Sequence, residues 1–271
     1  MNFHSDKWVM ENIQSHYSDS LTHFSENNVV GIFCQGSTNY GLDVSGSDID
    51  TKLIVTPSFY DVAFNKKPVS TTHVRENDEH IDFKDIRLMF QTFRKQNLNF
   101  IEILFTKYFI VNPAYKNEWD RLVKDNERIA RYNPYGAVKT MKGIAMEKYH
   151  AMEHPYPSKV EILAKWGYDG KQVSHLVRVH HFLERYIAGE PYSECLCPQA
   201  AVKSLILDLK LQKIPLLEGR EIAQEYLGEV LRLTEKFCLD NDPDFRDPYV
   251  EELLDSVQYN IMSSSCRKEL I

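Results

Sequence analysis

Hydrophobic positions follow two different periods along this chain. In the first 113 residues, short apolar runs and alternating stretches predict strands over residues 29–34, 50–56, 80–86 and 107–111. Spacing of three and four residues predicts helices over residues 8–26, 87–96 and 99–105. Since the strand patterns are interspersed with helical ones, this half is expected to form a small mixed β-sheet with flanking helices.

From about residue 114 the strand patterns give way to helical spacing. Helices are predicted over residues 114–130, 135–153, 158–166, 170–188, 199–210, 219–239 and 248–266. Proline and glycine separate these segments. The chain is therefore predicted to be α+β, with a mixed-sheet domain over residues 1–130 and an α-helical domain over residues 131–271. The 114–130 helix could pack on either of them.

Length and composition narrow the class of protein. The 271 residues suffice for one large or two modest domains. No run of about 18 apolar residues is present, so no membrane span is expected. The first ten residues lack an apolar signal region, and the five cysteines are irregularly spaced without a CxxC pair. We therefore expect a cytoplasmic protein without a membrane partner, and thiols without a disulfide or zinc role.

Charge is distributed unevenly. The net charge is −7, which argues against coating by nucleic acid. Residues 121–185 nevertheless carry 12 basic and 7 acidic side chains, a net +5, between acidic flanks. This basic middle is suited to a polyanion such as a triphosphate or a short RNA, and equally to a solvated helical surface.

Two carboxylates stand at the start of the second predicted strand. Asp48 and Asp50 are two residues apart, so strand alternation directs both to one face. Hard oxygen ligands of this kind suit Mg²⁺. Asp82 on the third predicted strand is the best candidate for a third ligand, and Asp85, on the opposite face of that strand, is the fallback.

A Gly-Ser pair directly follows the first predicted strand. Gly36 permits close approach of the backbone to a ligand, and Ser37 offers an N–H and a hydroxyl to a phosphate. Each motif alone is weak, because Asp-x-Asp is more often turn chemistry than a metal site. The succession is far more specific: a strand, Gly-Ser, an Asp-x-Asp that begins eleven positions after the serine, and a β-branched strand.

At these residues the sequence resembles the DNA polymerase β-type nucleotidyltransferase superfamily. The segments 36–42 (GSTNYGL), 47–50 (SDID), 99–105 (NFIEILF) and 168–178 (YDGKQVSHLVR) are similar to predicted nucleotidyltransferases associated with RNA repair. The likeness covers most of residues 29–240. The superfamily motif is the Gly-Ser pair at 36–37 followed by Asp-x-Asp at 48–50, and the later segments match more loosely.

The resemblance implies transfer of a nucleoside monophosphate from a nucleoside triphosphate (NTP) to an acceptor, with Mg²⁺ or Mn²⁺ as cofactor and release of pyrophosphate. It assigns Asp48, Asp50 and Asp82 to catalysis and metal binding, and Gly36 and Ser37 to the triphosphate. Lys52, which follows the motif where many relatives carry other residues, either touches phosphate or balances charge.

Cationic side chains recur on one side of the predicted helix after Gly170. Lys171, His175, Arg178 and Arg185 lie at i, i+4, i+7 and i+14. Spacing alone favours an exposed basic face. The resemblance at the same residues favours nucleotide binding by Lys171, His175 and Arg178.

The sequence leaves the acceptor open. An RNA end, a protein hydroxyl and a small molecule are alternatives that keep the same site. A module that binds nucleotide or RNA without turnover is the alternative of another class.

Overall fold

A computed structural model describes residues 3–269 of the chain. Their contacts divide into two compact units. The first unit comprises the described residues up to Asn133 together with those from Arg246 onward. The helical unit is the intervening segment Pro134–Phe245.

The first unit is built on a five-stranded mixed sheet. Its strands are β1 (Val29–Gln35), β2 (Asp50–Val55), β3 (Ser70–Val74), β4 (His80–Asp85) and β5 (Phe109–Val111), in the spatial order β3-β4-β2-β1-β5. β2 and β4 are parallel and the other neighbouring pairs are antiparallel. The predicted α+β class and the four predicted strands are confirmed. The edge strand β3 was not predicted, because its Ser-Thr-Thr-His-Val sequence is mostly exposed and lacks apolar alternation.

Among the described residues up to 130, six α-helices accompany this sheet: α1 (Asp6–Ser20), α2 (Phe59–Ala63), α3 (Ile86–Arg94), α4 (Leu98–Ile101), α5 (Lys116–Lys124) and α6 (Asn126–Ile129). α1 packs Val9, Ile13 and Tyr17 into the core on one sheet face. The helix ends at Ser20, before the predicted residue 26, because the following N–H groups turn back to the carbonyls of Asp19 and Ser20. On the other face Trp119 of α5 stacks on Phe33, with ring centroids 4.2 Å apart.

The helical unit contains α7 (Pro134–Ala151), α8 (Val160–Trp166), α9 (Gly170–Ile187), α10 (Tyr192–Leu196), α11 (Ala200–Lys210) and α12 (Leu216–Asp240). α9 is its central helix, largely buried among α7, α11 and α12. Gly170 permits this packing, because a Cβ there would lie 2.3 Å from the carbonyl oxygen of Leu209. As predicted, no strand occurs here in the part of the chain that the structure describes.

The last helix, α13 (Pro248–Glu269), belongs to the first unit. It packs against α5 and α3, and Arg94 of α3 pairs with Glu251 at 2.7 Å and Asp255 at 2.6 Å. The expected division after residue 130 had assigned this segment to the helical half. Among residues 3–269, no helix combines the length and apolar character that crossing a bilayer requires.

Candidate functional site

The Gly-Ser pair forms a tight turn at the end of β1. Gly36 has φ 82° and ψ −149°, a conformation that favours glycine, and it opens a single 3₁₀ turn over Ser37–Tyr40 instead of an α-helix. Asn39 secures the turn, because its amide donates to the Cys34 carbonyl at 2.8 Å and accepts from Thr106 at 2.7 Å. Ser37 is half-buried and follows directly on the strand end.

The two aspartates of residues 48–50 differ in exposure. Asp48 precedes β2 and is exposed, Ile49 is fully buried, and Asp50 opens the strand half-buried. Asp50 Oδ1 accepts from the backbone N–H of His80 at 3.2 Å, which ties the start of β2 to the start of β4.

Gln35, Lys52 and Asp82 form a bonded chain across three neighbouring strands. Parallel pairing of β2 with β4 places Lys52 opposite Asp82. Lys52 Nζ donates to Gln35 Oε1 at 2.7 Å, and Gln35 Nε2 donates to Asp82 Oδ2 at 3.2 Å. Asp82 Oδ1 accepts from the Thr72 hydroxyl at 2.6 Å. The side chains of Gln35, Lys52 and Asp82 therefore lie on one sheet face, next to the Gly36 turn.

Lys52 is buried among these groups, with 2% of its surface exposed. Its ammonium also reaches the Asn99 carbonyl at 3.2 Å and the ring of Phe100 at 4.3 Å. Burial lowers the pKa of Lys52 to about 8, although the carboxylates of Asp82 and Asp50 oppose this shift. These contacts hold the ammonium of Lys52 away from solvent.

Asp82 is held ionised by its neighbours. Partial burial acts to raise the pKa of its carboxyl, but the hydrogen bonds from Thr72 and Gln35, with the charges of Lys52 and Lys84, outweigh burial and lower the pKa. A carboxylate that stays charged is available to a cation or a proton. The fallback Asp85 is buried at the far end of β4, where it caps α3 and pairs with Arg87 at 2.7 Å.

A buried polar cluster behind β2 was missed by sequence reasoning. His16 of α1 contacts the Thr51 hydroxyl through Nδ1 and Glu79 through Nε2, both at 2.9 Å. Since Glu79 only accepts, Nε2 carries the proton and Nδ1 accepts from Thr51. Glu79 also accepts the backbone N–H of Ile49, so the cluster anchors the segment between Asp48 and Asp50 from behind. An isolated histidine at residue 16 gives no sequence signal for this role.

The side chains of Asp48, Asp50 and Asp82 offer only oxygen donors, which suit a hard cation such as Mg²⁺. The carboxylate oxygens of Asp48, Asp50 and Asp82 do not all lie within 4.8 Å of one another, however. Among residues 3–269, the one group of three potential ligands that meets this separation is Asp19, His23 and His73. It lies on the opposite sheet face, since His73 pairs in register with the core residue Ile81.

The predicted cationic residues lie on α9 of the helical unit. Lys171 is exposed, His175 is half-buried and Arg178 is buried. Desolvation holds the pKa of His175 well below its usual range, and the charges of Arg178, Lys148, Lys171 and Lys210 act in the same direction. Arg185 has a structural role, because its guanidinium binds Glu190 and the carbonyls of Glu194 and Cys197.

Comparison with known proteins gives little further guidance. No family model matches the sequence, and no curated protein matches it. Among solved structures, the chain is similar to a nucleotidyltransferase-like protein from Exiguobacterium sibiricum 255-15. The identity is 11% and the TM-score 0.32, over 84% of this chain and 75% of the other. A likeness this distant carries no argument about the site.

Proposed function

We propose that the protein is a metal-dependent nucleotidyltransferase that moves a nucleoside monophosphate from an NTP to an acceptor and releases pyrophosphate. One observation carries the proposal. The bonded chain of Lys52, Gln35 and Asp82 lies on the sheet face that Asp50 shares, directly beside the Gly36–Ser37 turn. Carboxylates and a phosphate-binding turn are thus combined at one strand end.

Each residue has a role that its surroundings support. Gly36 and Ser37 bind the triphosphate, because the positive φ of Gly36 exposes backbone with no side chain in the way and Ser37 adds a hydroxyl. Asp48, Asp50 and Asp82 would hold Mg²⁺ or Mn²⁺, which would supply positive charge to the reacting phosphates and the leaving pyrophosphate.

Asp82 has a second role as the base. The acceptor hydroxyl gives its proton to Asp82 as its oxygen bonds to the α-phosphorus. The bond from the α-phosphorus to the bridging oxygen then breaks, and pyrophosphate leaves with the electron pair. Lys52 stabilises the ionised carboxylates, since its buried charge interacts favourably with both Asp82 and Asp50.

Lys171, His175 and Arg178 are proposed to bind the phosphates of the NTP or of an acceptor RNA. The net +5 of residues 121–185 supports this, because phosphate groups are attracted to a basic surface. The acceptor is an RNA end in the leading version of the proposal. A protein hydroxyl or a small molecule is the alternative acceptor.

The test is a label-transfer assay on the full chain. The protein is incubated with Mg²⁺ and each NTP, labelled at the α- or the γ-phosphate, in the presence of RNA, protein or metabolite fractions. Transfer of the α-label alone supports nucleotidyl transfer, and the labelled fraction identifies the acceptor class. Transfer of the γ-label would indicate a kinase. NTP binding without pyrophosphate release in any fraction would favour a binding module.

A further inference from the structure

A second group of side chains with metal-ligand chemistry lies on the α1 side of the sheet. Asp19 is in the last turn of α1, His23 is in the turn that follows, and His73 is on the edge strand β3. Their ligand atoms all lie within 4.8 Å of one another. We propose that Asp19, His23 and His73 bind a transition-metal ion of the Zn²⁺ type. The proposal goes beyond the nucleotidyl-transfer site and does not rest on it.

The donor atoms decide which metal fits. Two imidazole nitrogens and one carboxylate suit Zn²⁺, Co²⁺ or Ni²⁺, whereas Mg²⁺ prefers oxygen ligands. His73 Nε2 lies 3.4 Å from Asp19 Oδ2. Two ligands on a tetrahedral ion, each bound at about 2.0–2.1 Å, are about 3.3–3.4 Å apart. These two atoms therefore already have the separation that a shared ion imposes.

The histidine rings are positioned by packing. The ring of His73 stacks parallel on that of Phe83, with centroids 5.9 Å apart. The ring centroid of His23 lies 4.7 Å from that of His73 and 5.4 Å from that of Phe83. The backbone N–H of His23 is held by the Ser20 carbonyl, so its turn is fixed to the end of α1. Because His23 is exposed, its ring has room to complete the site with a small rotation.

The site has space for a further ligand. Asp19 and His73 border an open cleft of about 740 Å³ with Ser15, Ser18 and Arg75, from which water can reach the ion. Arg75 Nε lies 3.2 Å from Asp19 Oδ2 and competes for that oxygen. Arg75 also donates hydrogen bonds to Glu79 at 3.0 Å and to Ser15 at 2.9 Å. It can keep both of these when Asp19 binds the metal instead. A bound ion would link the end of α1 to the otherwise exposed edge strand.

The test uses the full chain after removal of metal by a chelator. Co²⁺ is titrated while its visible absorption is recorded, and Zn²⁺ is then added in competition. We expect tight binding of one ion per chain with a tetrahedral spectrum. In Asp48→Asn/Asp50→Asn, which lacks proposed magnesium ligands, Zn²⁺ should raise the thermal midpoint and Mg²⁺ should not. His23→Gln, His73→Gln and Asp19→Asn should each weaken binding at least about tenfold.

Two controls separate this site from others. His154→Gln removes an exposed histidine elsewhere, and Asp48→Asn with Asp50→Asn removes the proposed magnesium ligands. Both should bind Zn²⁺ like the wild type. No binding by the wild type, unchanged binding by His23→Gln, or a thiolate charge-transfer band from cysteine ligation would overturn the proposal. His23 is exposed, so its variant remains informative even if His73→Gln fails to fold.

Discussion

Lys52 is the residue whose environment departs most from expectation. The sequence leaves open whether its ammonium touches phosphate or balances charge. The structure places the ammonium against Gln35, the Asn99 carbonyl and the ring of Phe100. No pattern within one strand encodes these partners, because they come from β1 and α4.

Replacing this lysine should change how stability depends on pH. The folded pKa is about 8, below the ordinary value of 10.5. Between these values the unfolded chain binds the extra proton, so this group makes the wild type more stable as pH rises from 8 to 10.5. Lys52→Met lacks this contribution. The free energy of unfolding is measured in urea for both proteins. Between pH 7 and pH 10, the wild-type value should rise by about 2–3 kcal/mol relative to that of the variant.

Comparison with the variant controls for other groups that titrate at alkaline pH. Such groups, for example the buried Cys34 thiol, are present in both proteins. A stability difference that stays constant across this pH range would mean that Lys52 is not desolvated as described.

At the scale of elements, β2 owes its position to partners on both sheet faces. Asp50 is fixed to β4 through the His80 N–H, while His16, Thr51 and Glu79 hold the strand from the α1 side. The strands and most helices could be predicted from the sequence because apolar periodicity reports burial. The edge strand β3 and the role of Glu79 could not be predicted in this way. β3 is mostly exposed, and a buried carboxylate is stabilised by neighbours that only the fold brings together.

Glu79 should therefore matter for both stability and activity. Glu79→Gln removes the negative charge that pairs with Arg75 and accepts a hydrogen bond from His16. It also weakens the hydrogen bond from the Ile49 N–H. We expect a loss of about 2–3 kcal/mol in the free energy of unfolding, because the group is buried and charge-paired. Pyrophosphate release should fall as well.

Glu76→Gln is the matched control, an exposed glutamate three residues earlier, and it should change stability by less than about 0.5 kcal/mol. Equal stabilities of the two variants in urea would show that the cluster does not anchor β2.

At the scale of the whole molecule, the helical unit is inserted within the first unit. The chain leaves at Asn133 and returns at Arg246, and the backbone N–H of Asp247 donates to the Tyr132 carbonyl at 3.1 Å. The sequence pattern could not assign α13, because helical spacing is the same whichever core a helix covers. Its buried apolar residues are Val250, Leu253, Leu254, Val257 and Ile261.

This connection predicts that the first unit folds alone. Replacing residues 134–245 by a short Gly-Ser linker should leave a cooperatively unfolding domain with native-like circular dichroism, because the two chain ends already lie together. Truncation after residue 245 instead removes α13 and should destabilise the sheet unit severely, since the burial of its five buried apolar side chains is lost. Should the truncated chain prove as stable as the linked one, α13 would not belong to this core.

The central claim is that Asp48 and Asp50 support nucleotidyl transfer, and pyrophosphate release tests it most directly. Release from NTPs in Mg²⁺ is measured, with an acceptor fraction present, for the wild type, Asp48→Asn/Asp50→Asn and Asp78→Asn. Asp78 is an exposed aspartate of the same unit at φ 63°, where asparagine fits equally well. We predict release by the wild type and Asp78→Asn, and at least about a hundredfold loss in the double variant. Undiminished release by the double variant would contradict the assignment.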